Sequence, residues 1–256
     1  MSIIIGFYNK LKVDKMDSES MKPYGMALLD YFYGDTSSKV IVYRDDGYKD
    51  ELKIDSFFRD PLDFLPMEKI ALDLCYGRIL DIGAGAGPHS LFLQNKGLNV
   101  CAIDISPEAC EIMKKRGIKN VCCIDALEFK AEPFDSIIIF GRSIVMVGTL
   151  KGLDFFLEKV HRLVKPSGQI LLNSLDVRCT NNPVHLAYQE MNKKAGRYIG
   201  ELNIQFEYKG KKGPFFELLH VDSETLINHA LEKDWVCQII HEEKDGNYLA
   251  KLNPMQ

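Results

Sequence analysis

The sequence lacks the features expected of secreted, membrane-spanning and metal-binding proteins. Its seven cysteines form no C-x-x-C pair and their number is odd, which argues against a disulfide framework and predicts free thiols in a reducing cytoplasm. The apolar run of Ile3, Ile4 and Ile5 is too short for a signal peptide, and no stretch approaches the length of a membrane span. The six histidines form neither an H-x-x-x-H nor an H-E-x-x-H pattern, so the sequence indicates no metal site.

The sequence also lacks a basic patch that would predict a nucleic-acid partner. The formal net charge of -4 gives no general attraction to phosphate backbones or to anionic membranes. The one dense basic run, at residues 209–212, is interpreted as the solvated tip of a hairpin. No pattern indicates the oligomeric state.

The composition is that of an ordinary globular protein. Hydrophobic residues make up 46% of the 256 positions and charged residues 27%. This length predicts one sizeable α/β domain with an appendage or an insertion, and argues against a second full domain.

Residues 78–93, which read RILDIGAGAGPHSLFL, contain the most informative pattern in the chain. A short apolar run precedes three alternating glycines, Gly83, Gly85 and Gly87, and a second apolar pattern follows them. Glycines let the backbone take positive φ and let a ligand approach closely, and the N-terminus of a following helix directs its N–H groups into the turn. The pattern therefore predicts the strand, turn and helix that hold an adenosine cofactor in doubly wound α/β folds.

The glycine spacing separates two kinds of cofactor. The dinucleotide fingerprint G-x-G-x-x-G would need its third glycine where this chain has Pro88. A tight turn between a strand and a helix also needs glycine for steric reasons alone, so the turn does not decide the function without its surroundings.

The rest of the chain predicts alternating strands and helices, with an interruption of about fifty residues before the end. The predicted strands are 39–44, 48–54, 79–82, 99–104, 120–125, 136–140, 169–173, 202–208, 214–221, 235–240 and 248–252. The predicted helices are 24–33, 61–76 with its regular part from Pro66, 106–116, 152–164, 183–194 and 222–233. In the second of these, the residues expected to face the core are Leu62, Leu65, Ile70, Leu72 and Leu74.

Together these patterns resemble the class I S-adenosylmethionine-dependent methyltransferases. The run Asp81-x-Gly83-x-Gly85-x-Gly87 resembles motif I of that family, and residues 165–168, KPSG, are similar to the L-K-P-G-G that precedes its fifth strand. Five strand-helix units followed by a hairpin resemble its seven-stranded sheet, whose last strand is antiparallel. The resemblance covers residues 78–252 in topology, with residue-level matches concentrated in 81–168, and is closest to small-molecule-type enzymes of uncharacterised bacterial and archaeal groups.

The resemblance implies a doubly wound Rossmann-like sheet with additions at two places. Residues 1–76 are expected to form an N-terminal cap packed on the core, and residues 77–256 the methyltransferase domain. An insertion of about 174–221 follows the fifth strand, and we expect the cap and the insertion to form the acceptor pocket.

The resemblance also implies S-adenosylmethionine as the cofactor and a role for three carboxylates. Asp104, 21 positions after Gly83, would accept hydrogen bonds from the ribose hydroxyls, or alternatively would only help to cap the helix at Ser106. Asp125 would accept from the adenine amino group, or would be a solvated residue at a strand end, and Asp81 would brace the glycine turn and the methionine amino group. The implied cofactor-binding residues are Asp81, Gly83, Ala84, Gly85, Gly87, Asp104, Ile105, Asp125, Ala126, Phe140 and Gly141.

The catalytic residues are not evident, because the sulfonium methyl is already activated and an enzyme of this kind needs mainly to position it. The N-P-P-[YFW] signature of adenine and amide methyltransferases is absent from residues 140–143. Weak candidates for the acceptor site are Arg142, His185, Tyr188 and Arg197, each of which is equally explained as a surface or packed residue.

Three functions are consistent with these observations. The first is a methyltransferase that acts on a small molecule, and the second is an NAD-dependent oxidoreductase, against which Pro88 and the terminal hairpin argue. The third is a protein that binds S-adenosylmethionine without transferring its methyl group.

Overall fold

A computed structural model of the chain describes residues 16–141 and 143–255. Within these ranges the chain forms seven α-helices and twelve β-strands. The helices are α1 (Lys22–Phe32), α2 (Pro66–Leu74), α3 (Pro88–Asn95), α4 (Pro107–Lys115), α5 (Leu150–Val160), α6 (Pro183–Lys194) and α7 (Ser223–Glu232). The strands are β1 (Lys39–Arg44), β2 (Lys49–Lys53), β3 (Arg78–Ile82), β4 (Asn99–Asp104), β5 (Val121–Cys123), β6 (Phe134–Ile139), β7 (Val164–Leu175), β8 (Glu201–Tyr208), β9 (Lys211–Lys212), β10 (Phe216–Leu219), β11 (Trp235–Glu242) and β12 (Asn247–Pro254).

Seven strands form a central sheet in the order β11-β12-β7-β6-β3-β4-β5. Strands β3 to β7 pair in parallel, whereas β12 runs antiparallel to β7 and β11 antiparallel to β12. The predicted doubly wound sheet with an antiparallel C-terminal hairpin is confirmed. Strand β7 begins at Val164 rather than at the predicted Gln169, so residues 165–168 belong to the strand. The strand order reverses at β3, which opens a crevice at the carboxyl ends of the strands.

A second, antiparallel sheet combines strands from the predicted N-terminal cap with strands from the predicted insertion. Its strands lie in the order β10-β8-β1-β2, with β9 paired to β8. Strands β1 and β2 come from the predicted cap, whereas β8, β9 and β10 come from the predicted insertion. The two segments meet along the β1 and β8 pair, where Val42 is opposite Phe206. This sheet was not expected from the sequence, because its central pairing joins residues far apart in the chain.

Both faces of the central sheet are covered, as its continuous apolar strands predict. On β3, Leu80 packs in a cluster with Leu157 of α5, whereas its neighbour Ile79 packs in another cluster with Met67 of α2 and Leu93 of α3. The turns at the strand ends are therefore held on a rigid, two-sided scaffold.

The predicted core face of the segment 61–76 is wrong at four of its five positions. Leu72 is buried, but Leu62, Leu65, Ile70 and Leu74 are exposed. The first two of these precede α2, which begins only at Pro66. The buried face of α2 carries Met67, Ala71 and Leu72 at helical spacing. The other two, Ile70 and Leu74, lie on α2 but point away from the core.

Candidate functional site

A cavity of about 800 Å³ lies between the carboxyl ends of the parallel strands and one face of the second sheet. The turns that follow β3, β4, β5 and β6 all contribute to its wall, because parallel strands end at the same edge of a sheet. Ten of the eleven residues predicted to bind the cofactor line it. They are Asp81, Gly83, Ala84, Gly85, Asp104, Ile105, Asp125, Ala126, Phe140 and Gly141.

The glycine turn forms one end of the cavity. Gly83 and Gly85 have φ values of 68° and 57°, in the left-handed region that glycine tolerates best. A Cβ atom placed on Gly85 would lie 3.3 Å from the hydroxyl oxygen of Tyr24 in α1. Helix α1 therefore lies over the turn, and the missing side chain at Gly85 leaves space in the cavity wall.

Gly87, the eleventh predicted residue, does not line the cavity. It has φ 75° and stands immediately before α3. A Cβ atom there would lie 2.3 Å from Cδ1 of Ile118 and 2.9 Å from Cγ of Met113. The third glycine is thus required by the packing of the turn against α4 and the loop after it.

Asp104, at the end of β4, connects the glycine turn to α4. Its Oδ2 atom accepts a hydrogen bond from the Gly85 N–H at 2.8 Å, and Oδ1 accepts from the Ser106 N–H at 2.8 Å. Burial raises the pKa of Asp104, although the backbone N–H groups of Ser106 and Gly85 favour its charged form. Each carboxylate oxygen has two acceptor positions, so these two bonds leave capacity for a bound hydroxyl group.

Asp81 braces the other side of the turn. Only 2% of this residue is exposed, and its Oδ2 atom accepts a hydrogen bond from the hydroxyl of Ser90 in α3 at 2.7 Å. Burial raises the pKa of Asp81, while the nearby His89 and the bonds from Ser90 act in the opposite direction. The side chain thus joins the end of β3 to the first turn of α3.

Asp125 begins the turn after β5. Its Oδ1 atom accepts a hydrogen bond from the Leu127 N–H at 2.9 Å, which fixes the backbone next to Ala126. Both Asp125 and Ala126 lie in the cavity wall on the same side as Asp104 and Ile105.

Known proteins with similar sequences and structures identify this arrangement. A family model described as a methyltransferase domain matches residues 79–168. A solved structure of a SAM-dependent methyltransferase from Bacteroides fragilis, in complex with S-adenosyl-L-homocysteine, is 30% identical to this chain with a TM-score of 0.81. The match covers 94% of this chain and 98% of that one. The chain belongs to the class I S-adenosylmethionine-dependent methyltransferases. This membership confirms the predicted fold, enzyme class and cosubstrate, and argues against the NAD-dependent oxidoreductase.

Two curated relatives are also methyltransferases. Sterol 4-C-methyltransferase strm-1 of Caenorhabditis elegans is 29% identical over 189 residues, which are 69% of this chain and 51% of the relative. A ubiquinone biosynthesis O-methyltransferase of Xanthomonas oryzae is 27% identical over 113 residues, which are 41% of this chain and 46% of the relative. The chain spans about half the length of the curated relatives it matches.

The methyltransferase has a polar network in the cavity wall that the sequence analysis did not find. Glu68 of α2 is 4% exposed, and its Oε1 atom accepts hydrogen bonds from Nη2 of Arg59 at 2.7 Å and from Nε2 of His89 at 3.2 Å. Burial acts to raise the pKa of Glu68, but His89, the Leu65 N–H and Arg59 outweigh it and lower the pKa overall. All three members of the network line the cavity. The three residues are far apart in the sequence and follow no periodic pattern. Their proximity is therefore evident only from the folded structure, where α2 and the segment before it lie next to α3.

A second cluster brings two predicted acceptor-site residues to the wall. The guanidinium of Arg44 lies 4.8 Å from the ring centre of Tyr48 and 4.2 Å from that of Tyr188. It donates to both oxygens of Asp46, at 2.9 and 2.6 Å, and its Nη1 atom lies 3.1 Å from Nδ1 of His185. Because arginine only donates, Nδ1 of His185 is the acceptor and a neutral ring carries its proton on Nε2. We call these five side chains the Arg44 clamp.

The predicted acceptor-site residues other than His185 differ in their surroundings. Tyr188 donates its hydroxyl to Oδ1 of Asp45 at 2.8 Å, and burial raises its pKa to about 12, so it stays protonated at neutral pH. Arg197 is exposed and does not line the cavity. Arg142 lies outside the described residues. His220 also lines the cavity, next to the start of the last helix.

Two kinds of site are absent from the described part of the methyltransferase. No group of three or more histidine, cysteine or carboxylate side chains at residues 16–141 and 143–255 is arranged to hold a metal ion. No helix in the same residues is long and apolar enough to span a bilayer.

Proposed function

We propose that this methyltransferase transfers the methyl group of S-adenosylmethionine to a small-molecule acceptor. The observation that supports it is the cavity of about 800 Å³, which the glycine turn and the second sheet enclose from opposite sides. Pockets for single small ligands typically have volumes of about 300 to 1,000 Å³. The cavity is therefore of the size expected for a nucleoside cosubstrate and a small acceptor side by side.

The residues of the glycine turn and of the neighbouring strand ends fit S-adenosylmethionine. In the proposal, Asp104 accepts hydrogen bonds from the ribose, Asp125 accepts from the adenine amino group, and Asp81 holds the turn and the methionine amino group. The space left by Gly85 beneath Tyr24 is consistent with close approach of a ligand to the backbone. When bound, S-adenosylmethionine supplies a methyl group on a positively charged sulfur, already activated for displacement.

The protein's own contribution is to position the acceptor and to exclude water. We propose that residues 1–76 form the cap and that residues 77–256 form the methyltransferase domain, with an insertion of about 174–221. Strands β1 and β8 join cap and insertion in one sheet over the cavity, which supports an acceptor site shared by both. An acceptor bound between this sheet and the glycine turn would be oriented toward the methyl group and shielded from water on two sides.

The curated relatives support a small acceptor. One is named as a sterol 4-C-methyltransferase and the other as an O-methyltransferase of ubiquinone biosynthesis. A cytoplasmic location and the lack of a nucleic-acid partner stay predictions.

Titration calorimetry with S-adenosylhomocysteine, S-adenosylmethionine, NAD and NADP tests the cosubstrate. We expect the first two to bind and the last two to bind negligibly, because Pro88 replaces the third glycine of the dinucleotide fingerprint. Comparable or tighter NAD binding would contradict the proposal.

Transfer of a labelled methyl group to a panel of small molecules, and separately to protein and RNA, tests the acceptor class. Transfer to a small molecule supports the proposal, and transfer to a macromolecule alone refutes it. Binding of S-adenosylmethionine without transfer to any member of the panel would instead favour a binding protein.

A further inference from the structure

The face of the second sheet that lines the cavity consists mainly of even-numbered residues. Side chains on a strand alternate between its two faces, and the pairs Val42 with Phe206, Ile204 with Phe216, and Leu202 with Leu218 place even-numbered residues together. The sheet residues that line the cavity are Val42, Arg44, Asp50, Glu51, Leu52, Leu202, Ile204, Phe206, Phe216 and Leu218. All but Glu51 are even-numbered, and seven of the ten are apolar. We call this surface the even face.

The opposite face of the same strands is mainly polar, with Ile41 and Leu219 as apolar exceptions. Tyr43 donates its hydroxyl to Oε2 of Glu207 at 2.8 Å, and the neighbouring Gln205 bonds the backbone carbonyl of Gly213. The apolar character of the even face is therefore specific to the side that meets the cavity and is not a property of the strands as a whole.

Part of the even face is covered from within the chain, and part remains open to the cavity. Near α1, Phe206 contacts the ring of Tyr24 with 6.2 Å between ring centres and belongs to the cluster around Leu28. Val42 and Leu52 pack against the edge of the same cluster but are only partly buried, and both line the cavity. Apolar side chains in a cavity wall favour an apolar ligand, because contact between the two removes apolar surface from water.

The charges around the cavity disfavour an anionic acceptor. Among the described residues of its wall, the two arginines each have a carboxylate partner, Arg44 with Asp46 and Arg59 with Glu68. Eight carboxylates line the wall against these two arginines, and one of the eight, Asp176, is itself paired with Arg178 at 2.9 Å. A net acidic wall attracts the positively charged sulfonium of the donor and repels a carboxylate or a phosphate on the acceptor.

We infer that the acceptor is a neutral, predominantly apolar small molecule that lies on the even face and directs its single polar group toward the glycine turn. This inference rests on the proposed function and narrows it to one chemical class. The even face holds the apolar body by burial, and the methyl-accepting atom is the part of the molecule that meets the donor.

The test uses 4-alkylphenols and calorimetry on protein saturated with S-adenosylhomocysteine. We expect binding to tighten by about fourfold for each added methylene from 4-ethylphenol to 4-butylphenol, the increment for burying apolar surface. We also expect 4-butylphenol to bind at least tenfold more tightly than 3-(4-hydroxyphenyl)propionate, which has a similar length but carries a carboxylate. No chain-length dependence, no binding of 4-butylphenol, or tighter binding of the carboxylate would each overturn the inference.

Two variants on the same strand locate the binding surface. Val42→Asn places a polar group on the even face, whereas Ile41→Asn makes a similar change on the opposite face. We expect at least a fivefold loss of 4-butylphenol affinity in the first, less than a twofold change in the second, and unchanged S-adenosylhomocysteine affinity in both. Equal effects in the two variants would overturn the inference. If Val42→Asn does not fold, Leu52→Gln with Lys53→Gln as its control gives the same comparison on β2.

The outcome for the proposed function is read separately in the same experiment. Failure of the wild-type protein to bind S-adenosylhomocysteine refutes the proposed function, and with it the inference. Normal binding of S-adenosylhomocysteine with no preference for the neutral alkylphenols refutes only the inference.

Discussion

Replacing Asp104 with alanine separates a ligand-binding role from a structural one. In the structure the Asp104 carboxylate already accepts one hydrogen bond from the Gly85 N–H and one from the Ser106 N–H, both at 2.8 Å. If it also holds the ribose, Asp104→Ala removes two further charge-assisted hydrogen bonds from the bound state. We expect the binding of S-adenosylhomocysteine to weaken by about 2 to 4 kcal/mol, or roughly 30-fold to 700-fold in Kd.

The same substitution also affects the folded protein without ligand. It leaves the N–H groups of Gly85 and Ser106 without this partner, at a cost of about 1 to 3 kcal/mol for each buried donor. Removing a buried carboxylate offsets part of this loss, because burial opposes the charged form of Asp104 and raises its pKa. A net destabilisation smaller than the loss of binding energy is therefore expected.

The assay is titration calorimetry of S-adenosylhomocysteine, with urea denaturation of the same preparations. Ser106→Ala is the control, because the Ser106 hydroxyl accepts the Ala109 N–H at the start of α4 and does not line the cavity. It should cost about 1 kcal/mol of stability as a lost N-cap and leave the affinity within twofold of wild type. A folded Asp104→Ala protein with wild-type affinity would refute the ribose role and assign Asp104 to bracing alone.

Three further predictions concern the glycine turn and the Arg44 clamp. Gly85→Ala should weaken S-adenosylhomocysteine binding more than tenfold by calorimetry, since the new Cβ atom meets the cavity near Tyr24, whereas Gly97→Ala, at φ 87° with nothing within 4 Å, should leave the affinity unchanged. Gly87→Ala should lower the free energy of unfolding by about 2 to 4 kcal/mol in urea titrations, because its Cβ atom would overlap Ile118 at a positive φ; unchanged stability would contradict that packing. Asp46→Ala should lower the free energy of unfolding by about 3 kcal/mol at pH 7 by removing the carboxylate partner of the buried Arg44, while Glu51→Ala, which breaks an exposed pair with Lys39, should cost less than about 0.5 kcal/mol. The hydrogen bonds from Arg44 lower the pKa of Asp46 in the folded protein. The ion pair therefore contributes its full stability above the unfolded pKa of about 3.9, and this stability is lost as the pH falls through the lower folded pKa. A difference in stability between wild type and Asp46→Ala that persists in acid would contradict this.

The sequence by itself determined the central sheet and the turns at its edge. Local patterns are sufficient there, because buried parallel strands are continuously apolar and the alternating glycines mark a turn with positive φ. The same patterns located Asp104 and Asp125 at strand ends, and the structure places both in the cavity wall. The antiparallel C-terminal hairpin was expected from the resemblance to the family's seven-stranded sheet.

The role of Gly87 and the orientation of α2 required the tertiary structure. A glycine spacing does not distinguish a residue that faces a ligand from one that faces Ile118, since both need the missing side chain. For α2, the apolar residues occur on more than one side of the helix, and the neighbouring sheet decides that Met67 and Leu72 are the buried ones.

Only the tertiary structure decided how the cavity wall opposite the glycine turn is built. Arg44 and His185 are 141 positions apart, and β1 pairs with β8 across a similar separation. Pairings of this range depend on the packing of the whole chain and leave no trace in local periodicity. The alternation within each strand was visible in the sequence, but which of its two faces meets the cavity became known only when the two segments were seen to form one sheet.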